Sequence, residues 1–294
     1  MRNVLLIAGV VLGTLAAAPS ASFDAGSVYV QRYGSGSPAL VLLPGLTDSG
    51  KVWDSTVARY AATHTIYVLT MPGFGGRPKV GAPMLDAVVR DIAVFLPQAG
   101  KPVLIGHSMG GILAIRLAEE HGDLISGAIS IDGLPVFPGL DKMTPQARES
   151  VAAQTGDRIA ALSPSQFETS QATQLSYMTQ PANVKTAEGF SEGADVAATG
   201  EYMRELMSAD LRPGLANVRV PLLEIGPFDA SVDPENPFTP MPTLAAKQTY
   251  YQGLLANDPT AKVVMIDGSR HFIMLDQPAA LFSAIDAFLA SLGS

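Results

Sequence analysis

The segment Val103–Gly111, read Val-Leu-Ile-Gly-His-Ser-Met-Gly-Gly, constrains this chain more than any other stretch. An apolar run meets a glycine, a serine between two spacers and paired glycines, then Ile112-Leu113-Ala114-Ile115-Arg116-Leu117 with helical composition. That order describes a strand turned sharply into a helix. Gly106 and Gly110 flank the serine where strand and helix backbones come too close for a Cβ, which predicts a strained backbone at Ser108 and an exposed Oγ. Met109 starts the helix, so its free N–H can meet negative charge developing on an oxygen of the group Ser108 attacks. A plain Gly/Ser turn before a buried helix shares the five-residue pattern, but not the strand before it together with the helix after it.

These residues, as G-x-S-x-G, resemble the nucleophile turn of the α/β-hydrolase family. The rest of the chain is consistent with that fold. At 294 residues, 47% hydrophobic and 16% charged, it suits one well-cored domain with an appended cap. Strands are predicted at Ser27–Tyr33, Ala39–Leu43, Thr65–Thr70, Pro102–Ile105, Gly127–Ile131, Pro221–Ile225 and Ala261–Ile266, with helical patterns between most of them. Leu85, Val88, Val89, Ile92, Phe95 and Leu96 fall on one helix face. In the last helix, Asp276 is the expected cap and Pro278 suits the first turn. The expected architecture is α/β, a mostly parallel doubly wound sheet with helices on both faces and its ligand site at the carboxyl ends of the strands. Between Leu134 and Val220 the alternation lapses, and a helical cap is expected over about residues 135–218 of a domain spanning 22–294. Pro227–Pro242, with five prolines, reads as a long loop.

Residues 1–21 carry one early cation (Arg2), an apolar core from Val4 to Leu15 and a small-residue end. That pattern is a secretory signal, too short for a comfortable membrane span, with cleavage expected near Ala21. An exported, periplasmic or secreted protein without a stable membrane anchor is the expectation. The chain has no cysteine, so neither disulfide nor thiolate chemistry is open to it. A formal charge of −8 argues against nucleic acid as a partner.

A serine nucleophile needs a base, usually a histidine held in one tautomer by a carboxylate. Four histidines are present. His107 is a spacer of the turn and is expected to point away from the reaction path, His64 precedes a strand, and His121 closes the helix after the serine. His271 follows the last predicted strand and is the expected base. For the acid, Asp229 lies three residues after Gly226 and matches the family's chain order of Ser, Asp, His. Asp132, ending the preceding strand, is the rival, since some members of the family draw the acid from that place; Asp233 is a weaker candidate further along the loop.

The resemblance also implies that Leu46 N–H, after the strand ending at Leu43, joins Met109 N–H as the oxyanion donors. Pro44 stands where the family usually has histidine, and Thr70 where its D-x-P-G-x-G loop has aspartate. Trp53 reads as a core anchor. Gly45–Lys51 also fits G-x-x-x-x-G-K, but Val52 stands where Ser or Thr must hold Mg²⁺, and Asp48 would place a carboxylate in the phosphate cradle. Pro78 rules out a dinucleotide loop at Gly73–Gly76, and no cluster has metal-ligand spacing, so no cofactor is called for. The implied activity is hydrolysis of small carboxylic esters with an apolar part, through Ser108, His271 and Asp229. C–C hydrolase, amidase and cofactor-free haloperoxidase chemistry, or a non-catalytic binding role, are the alternatives.

Overall fold

The computed structural model describes residues 18–236 and 239–293. The signal segment therefore lies mostly outside the described residues. The elements run β1 Ala21–Ala25, β2 Val28–Tyr33, β3 Leu40–Leu43, α1 Asp54–Tyr60, β4 Ile66–Thr70, α2 Met84–Phe95, β5 Val103–His107, α3 Met109–His121 and β6 Gly127–Ile131. Then come α4 Pro145–Ala160, α5 Pro164–Met178, α6 Val184–Glu188, α7 Val196–Ser208, β7 Leu222–Phe228, α8 Leu244–Leu254, β8 Ala261–Asp267, α9 Ile273–Asp276 and α10 Pro278–Ser291.

One eight-stranded sheet, ordered β1-β2-β4-β3-β5-β6-β7-β8, organises the fold. The ladders β1–β2 and β2–β4 are antiparallel and the rest are parallel. Alternation within the strands supplies both faces: Val41 and Leu43 join Leu104 on the side of α2 and α3, while Leu40 and Leu42 join Val103 and Ile105 on the side of α1 and α10. Burial on both sides explains why β3 reads as an unbroken apolar run. Trp53 is fully buried in the second cluster. The seven strands read from sequence are all present; β1 is additional, a short edge strand that starts at Ala21, where the apparent signal segment ends.

Between β6 and β7 the chain leaves the sheet for four helices. Thr144, Ser163 and Asp195 cap α4, α5 and α7 through their side chains, and Ser163 and Gln166 form a reciprocal capping box. Helices α4 and α7 cross closely at Gly156 and Gly200, where a Cβ on either would come within 2.7 Å of the other's carbonyl oxygen. Glu205 of α7 reaches back to accept from Met84 N at 2.6 Å and Leu85 N at 2.7 Å, capping α2.

Two sequence expectations are corrected. Asp276 does not cap the last helix, whose N-cap is Gln277; its carboxylate instead accepts from Thr179 Oγ1 at 2.6 Å, Gln180 N at 2.9 Å and Arg270 N at 2.9 Å. Those bonds fasten the end of α5 to the loop after β8. Pro227 lies within a strand, not at the start of a loop, because β7 runs on to Phe228 beside β8.

Candidate active site

Ser108 sits between β5 and α3 with φ 54° and ψ −117°, a conformation that costs a non-glycine residue free energy. The glycines explain how it is tolerated. A Cβ on Gly106 would lie 1.9 Å from Gly110 O, and one on Gly110 would lie 2.0 Å from Leu43 O. Any larger residue would push the helix off the strand and release the strain. Thr47 (φ 69°) and Asp132 (φ 52°) share the left-handed region. Both line the same cavity as Ser108, so three of the four described non-glycine residues with positive φ meet there, Lys101 being the exception, as backbone strain does at functional sites.

His271 follows β8 and donates from Nδ1 to Asp132 Oδ2 at 2.5 Å. A carboxylate can only accept, so the proton lies on Nδ1 and Nε2 is left with its lone pair. Burial raises the Asp132 carboxyl, but the hydrogen bond and charge of His271, with Lys247 and Tyr251 nearby, outweigh it and hold the group down at about 2. Ser108, His271 and Asp132 all line one cavity of about 240 Å³.

Asp229, the acid favoured by chain order, is not brought to His271. Its Oδ1 accepts from Ser231 N at 2.9 Å and Ser231 Oγ at 2.7 Å, turning the carboxylate back onto its own loop. Its Oδ2 accepts from Arg270 Nε at 2.8 Å and Gln180 Nε2 at 2.9 Å. Burial raises this carboxyl too, yet the Ser231 and Arg270 donors bring it down to about 2. Arg270 also donates to Ser176 O and Thr179 O at 3.0 Å, so Asp229 anchors a clamp between α5 and the loop carrying His271. Asp233 likewise points elsewhere, to Lys247 Nζ at 2.7 Å. The carboxylate paired with the histidine comes from the end of β6, one strand earlier than expected.

Leu46 and Met109 both border the cavity. Met109 is the first residue of α3, where backbone N–H groups have no partner within the helix. Gly50 N donates to Thr70 Oγ1 at 3.0 Å, so the threonine standing in for the family's aspartate still supports this loop.

His107 takes part in a way the sequence did not reveal. Its Nε2 donates to His271 O at 3.1 Å, and the two rings lie 4.6 Å apart. Burial pushes the His107 imidazole down and keeps it neutral, against the pull of Asp48. Its Nδ1 is 3.5 Å from Asp48 Oδ2, long for a hydrogen bond. His107 thus props the backbone of His271 from the turn that carries Ser108. His64 is bound to Pro38 O at 2.8 Å, and His121 ends α3.

The remaining cavity wall is largely apolar, with Ile112, Leu134, Phe137 and Phe272 among its members beside the polar Thr47, Asp48 and Thr199. The inner face of α5 adds Phe167 and Leu175 together with the uncharged Ser170, Gln171 and Gln174. Among the described residues, neither lysine nor arginine lines it.

A strained serine at a strand-to-helix turn, within a mostly parallel sheet closed by inserted helices, defines the α/β-hydrolase class of fold. The sequence profile of the alpha/beta hydrolase family matches residues 40–284, and the chain belongs to that family. The pimeloyl-[acyl-carrier protein] methyl ester esterase of Aeromonas hydrophila is 34% identical over 118 residues, covering 40% of this chain and 45% of that protein. The chain thus spans a little under half the length of that relative. The Klebsiella pneumoniae protein of the same name is 24% identical over 279 residues, covering 90% of this chain and 99% of its own. Among solved structures, a thermophilic esterase from Thermogutta terrifontis superposes with TM-score 0.72 at 20% identity, covering 91% of this chain and 94% of that one. An enol-lactonase from Burkholderia xenovorans does so with TM-score 0.69 at 18% identity, covering 90% and 96%. At these identities the likeness is one of fold.

Proposed function

We propose that this protein is a serine hydrolase that cleaves carboxylic esters of neutral, largely apolar acids. The observation that carries the reading is the His271 Nδ1–Asp132 Oδ2 bond of 2.5 Å in the cavity that also holds the strained Ser108. The bond leaves Nε2 as a base within the same cavity. In the proposed cycle His271 removes the Ser108 proton as Oγ attacks the ester carbonyl, and Leu46 and Met109 N–H groups stabilise the oxyanion. The alcohol leaves with the proton from His271, and water activated by His271 then hydrolyses the acyl-enzyme.

The apolar lining supports the choice of acyl group. A carboxylate at the far end of the acyl chain would lose its hydration without meeting a cation, a cost of several kcal/mol. The ester reading is also in keeping with the similar proteins, three of which are called esterases. Export to the periplasm or beyond is part of the proposal, on the strength of residues 1–21.

The test is a series of p-nitrophenyl esters graded by acyl length, with a dicarboxylic half-ester of matched length. Turnover of the neutral series, with kcat/KM at least ~100-fold above the half-ester, is expected from the unpaired-charge penalty. No turnover of any ester by the folded protein contradicts the reaction assigned. Equal turnover of both contradicts the acyl preference alone.

A further inference from the structure

Asp132 has a second partner. Tyr251 of α8 donates its hydroxyl to Asp132 Oδ1 at 2.5 Å, so the two carboxylate oxygens are held by two different elements, α8 and the loop after β8. Tyr251 is only 4% exposed. Burial, with Asp132 beside it, pushes the hydroxyl well above its ordinary value, so it stays a donor throughout the working range. Gly226 makes room for the ring: a Cβ there would lie 2.6 Å from Tyr251 Cε2. Other charged or titratable groups facing the ring are Lys247, whose Nζ lies 5.9 Å from its centroid, Tyr250, whose ring lies edge-on at 6.2 Å, and the buried Glu224 and Asp233.

This arrangement gives the chain between β7 and β8 a task different from the one its position suggests. Asp229 and Asp233 are committed to Arg270 and Lys247, and the Lys247 pair ties α8 back to the loop that precedes it. The excursion that would supply the acid by chain order instead delivers a hydroxyl to the acid of the neighbouring strand. A carboxylate bound only by the histidine is free to turn about its own axis; one bound on both oxygens fixes the plane in which His271 must lie.

We infer that Tyr251 is a positioning residue for the hydrolytic reaction, holding Asp132 in the orientation that keeps His271 in its base tautomer. The inference rests on the assignment of Ser108, His271 and Asp132 as the reacting set. Replacing Tyr251 by phenylalanine keeps the ring and strands Asp132 Oδ1 as a buried acceptor without a donor. The carboxylate's charge then bears more fully on His271 and favours the imidazolium.

The experiment measures kcat, KM and the pH profile of kcat/KM for Tyr251→Phe on the best neutral ester, beside Tyr250→Phe and Asp132→Asn. Tyr250, the next residue on α8, donates to Asp141 at 3.0 Å and provides a matched loss of one hydroxyl. Tyr251→Phe is expected to lower kcat by ~10-fold, as a hydrogen bond to a charged group implies, with KM within ~2-fold. The acid limb should move to higher pH by ~0.5 unit or more, because His271 holds its proton longer. Tyr250→Phe should stay within ~2-fold of the parent with an unmoved limb. A Tyr251→Phe protein with parental kcat, or with lowered kcat and an unmoved or downward-shifted limb, overturns the inference. An active Asp132→Asn protein overturns the underlying assignment instead, which keeps the two failures apart.

Discussion

Asp132, half-buried, and Asp229, buried, are both hydrogen-bonded carboxylates held at about 2, yet their replacement by asparagine should give opposite results. At Asp132 the amide cannot play the carboxylate's part. If its N–H₂ faces His271 Nδ1, the imidazole must place its proton on Nε2, which removes the base. The corresponding change in a serine-protease triad costs ~10⁴ in kcat, or ~5.5 kcal/mol in the barrier. A loss of that order is expected here, with the fold intact. At Asp229 the loss is one of stability. Its folded value lies about 2 against an ordinary 3.8, and at about 1.4 kcal/mol per unit this is about 2 kcal/mol of stability at neutral pH. For a chain of this size that amounts to a fall of about 3–4 °C in Tm. Because the folded value is depressed, the contribution is present above the ordinary carboxyl range and lost as pH falls towards 2, so wild type and Asp229→Asn should converge in acid. The kcat of Asp229→Asn should stay within ~10-fold of the parent, since Arg270 would still be held by Ser176 and Thr179. The assays are ester turnover and thermal melts followed by circular dichroism from neutral pH down to ~3. A dead Asp229 variant beside an active Asp132 variant would refute the reasoning, and so would a constant difference in Tm across the pH range.

Glu224 offers an independent test of sign. Fully buried in β7, it is raised well above its ordinary 4.5, burial outweighing the nearby Ser130 hydroxyl and the Gly133 and Asp132 amides. The folded state therefore keeps a proton that the unfolded chain has released. Stability falls by about 1.4 kcal/mol per pH unit above the ordinary value until the folded group itself ionises. Glu224→Gln should consequently gain in Tm relative to wild type as pH rises above the ordinary carboxyl range and lose that gain in acid; a pH-independent difference in melts contradicts it. N-terminal sequencing of the exported protein should find residues 1 to about 21 removed. Met1 retained on protein in a membrane pellet would make the segment an anchor.

The sheet was legible because its central strands β3, β5, β6 and β7 are buried on both faces and read as apolar runs, while β2 and β8 show the alternation of strands with one exposed face. The turn at Ser108 was legible for a different reason: close backbone contact demands glycine at 106 and 110, and that demand is written directly in the residue types. Ser108 and His271, the residues the sequence singles out as reacting, line one cavity. The acid was not settled by sequence, because Asp132 and Asp229 both end parallel strands, and the choice depends on side-chain partners supplied from elsewhere. Ser231 two residues after Asp229 and Arg270 beside His271 were the available hints that Asp229 is engaged locally. Tyr251 carried no such signal: a tyrosine in a helix about twenty residues from both Asp229 and His271 acquires its meaning only when α8 is laid against the end of β7. The support that His107 gives to the carbonyl of His271 had no sequence signal, because a spacer of the turn shows only that it leaves the reaction path and not what it meets there.

The most direct measurement is covalent labelling of the folded protein with a fluorophosphonate, followed by intact mass and peptide mapping. Such a reagent reports a serine that a neighbouring base has activated, and it does not depend on knowing the natural ester. The account predicts one adduct per chain, on Ser108, absent from Ser108→Ala and formed far more slowly by Asp132→Asn. The same Ser108→Ala protein should lose ~10⁴ or more in kcat on any ester the parent cleaves, since nucleophile and base act as one unit. An adduct on another serine, or a folded protein that takes up no label, would contradict the assignment of Ser108 as the nucleophile.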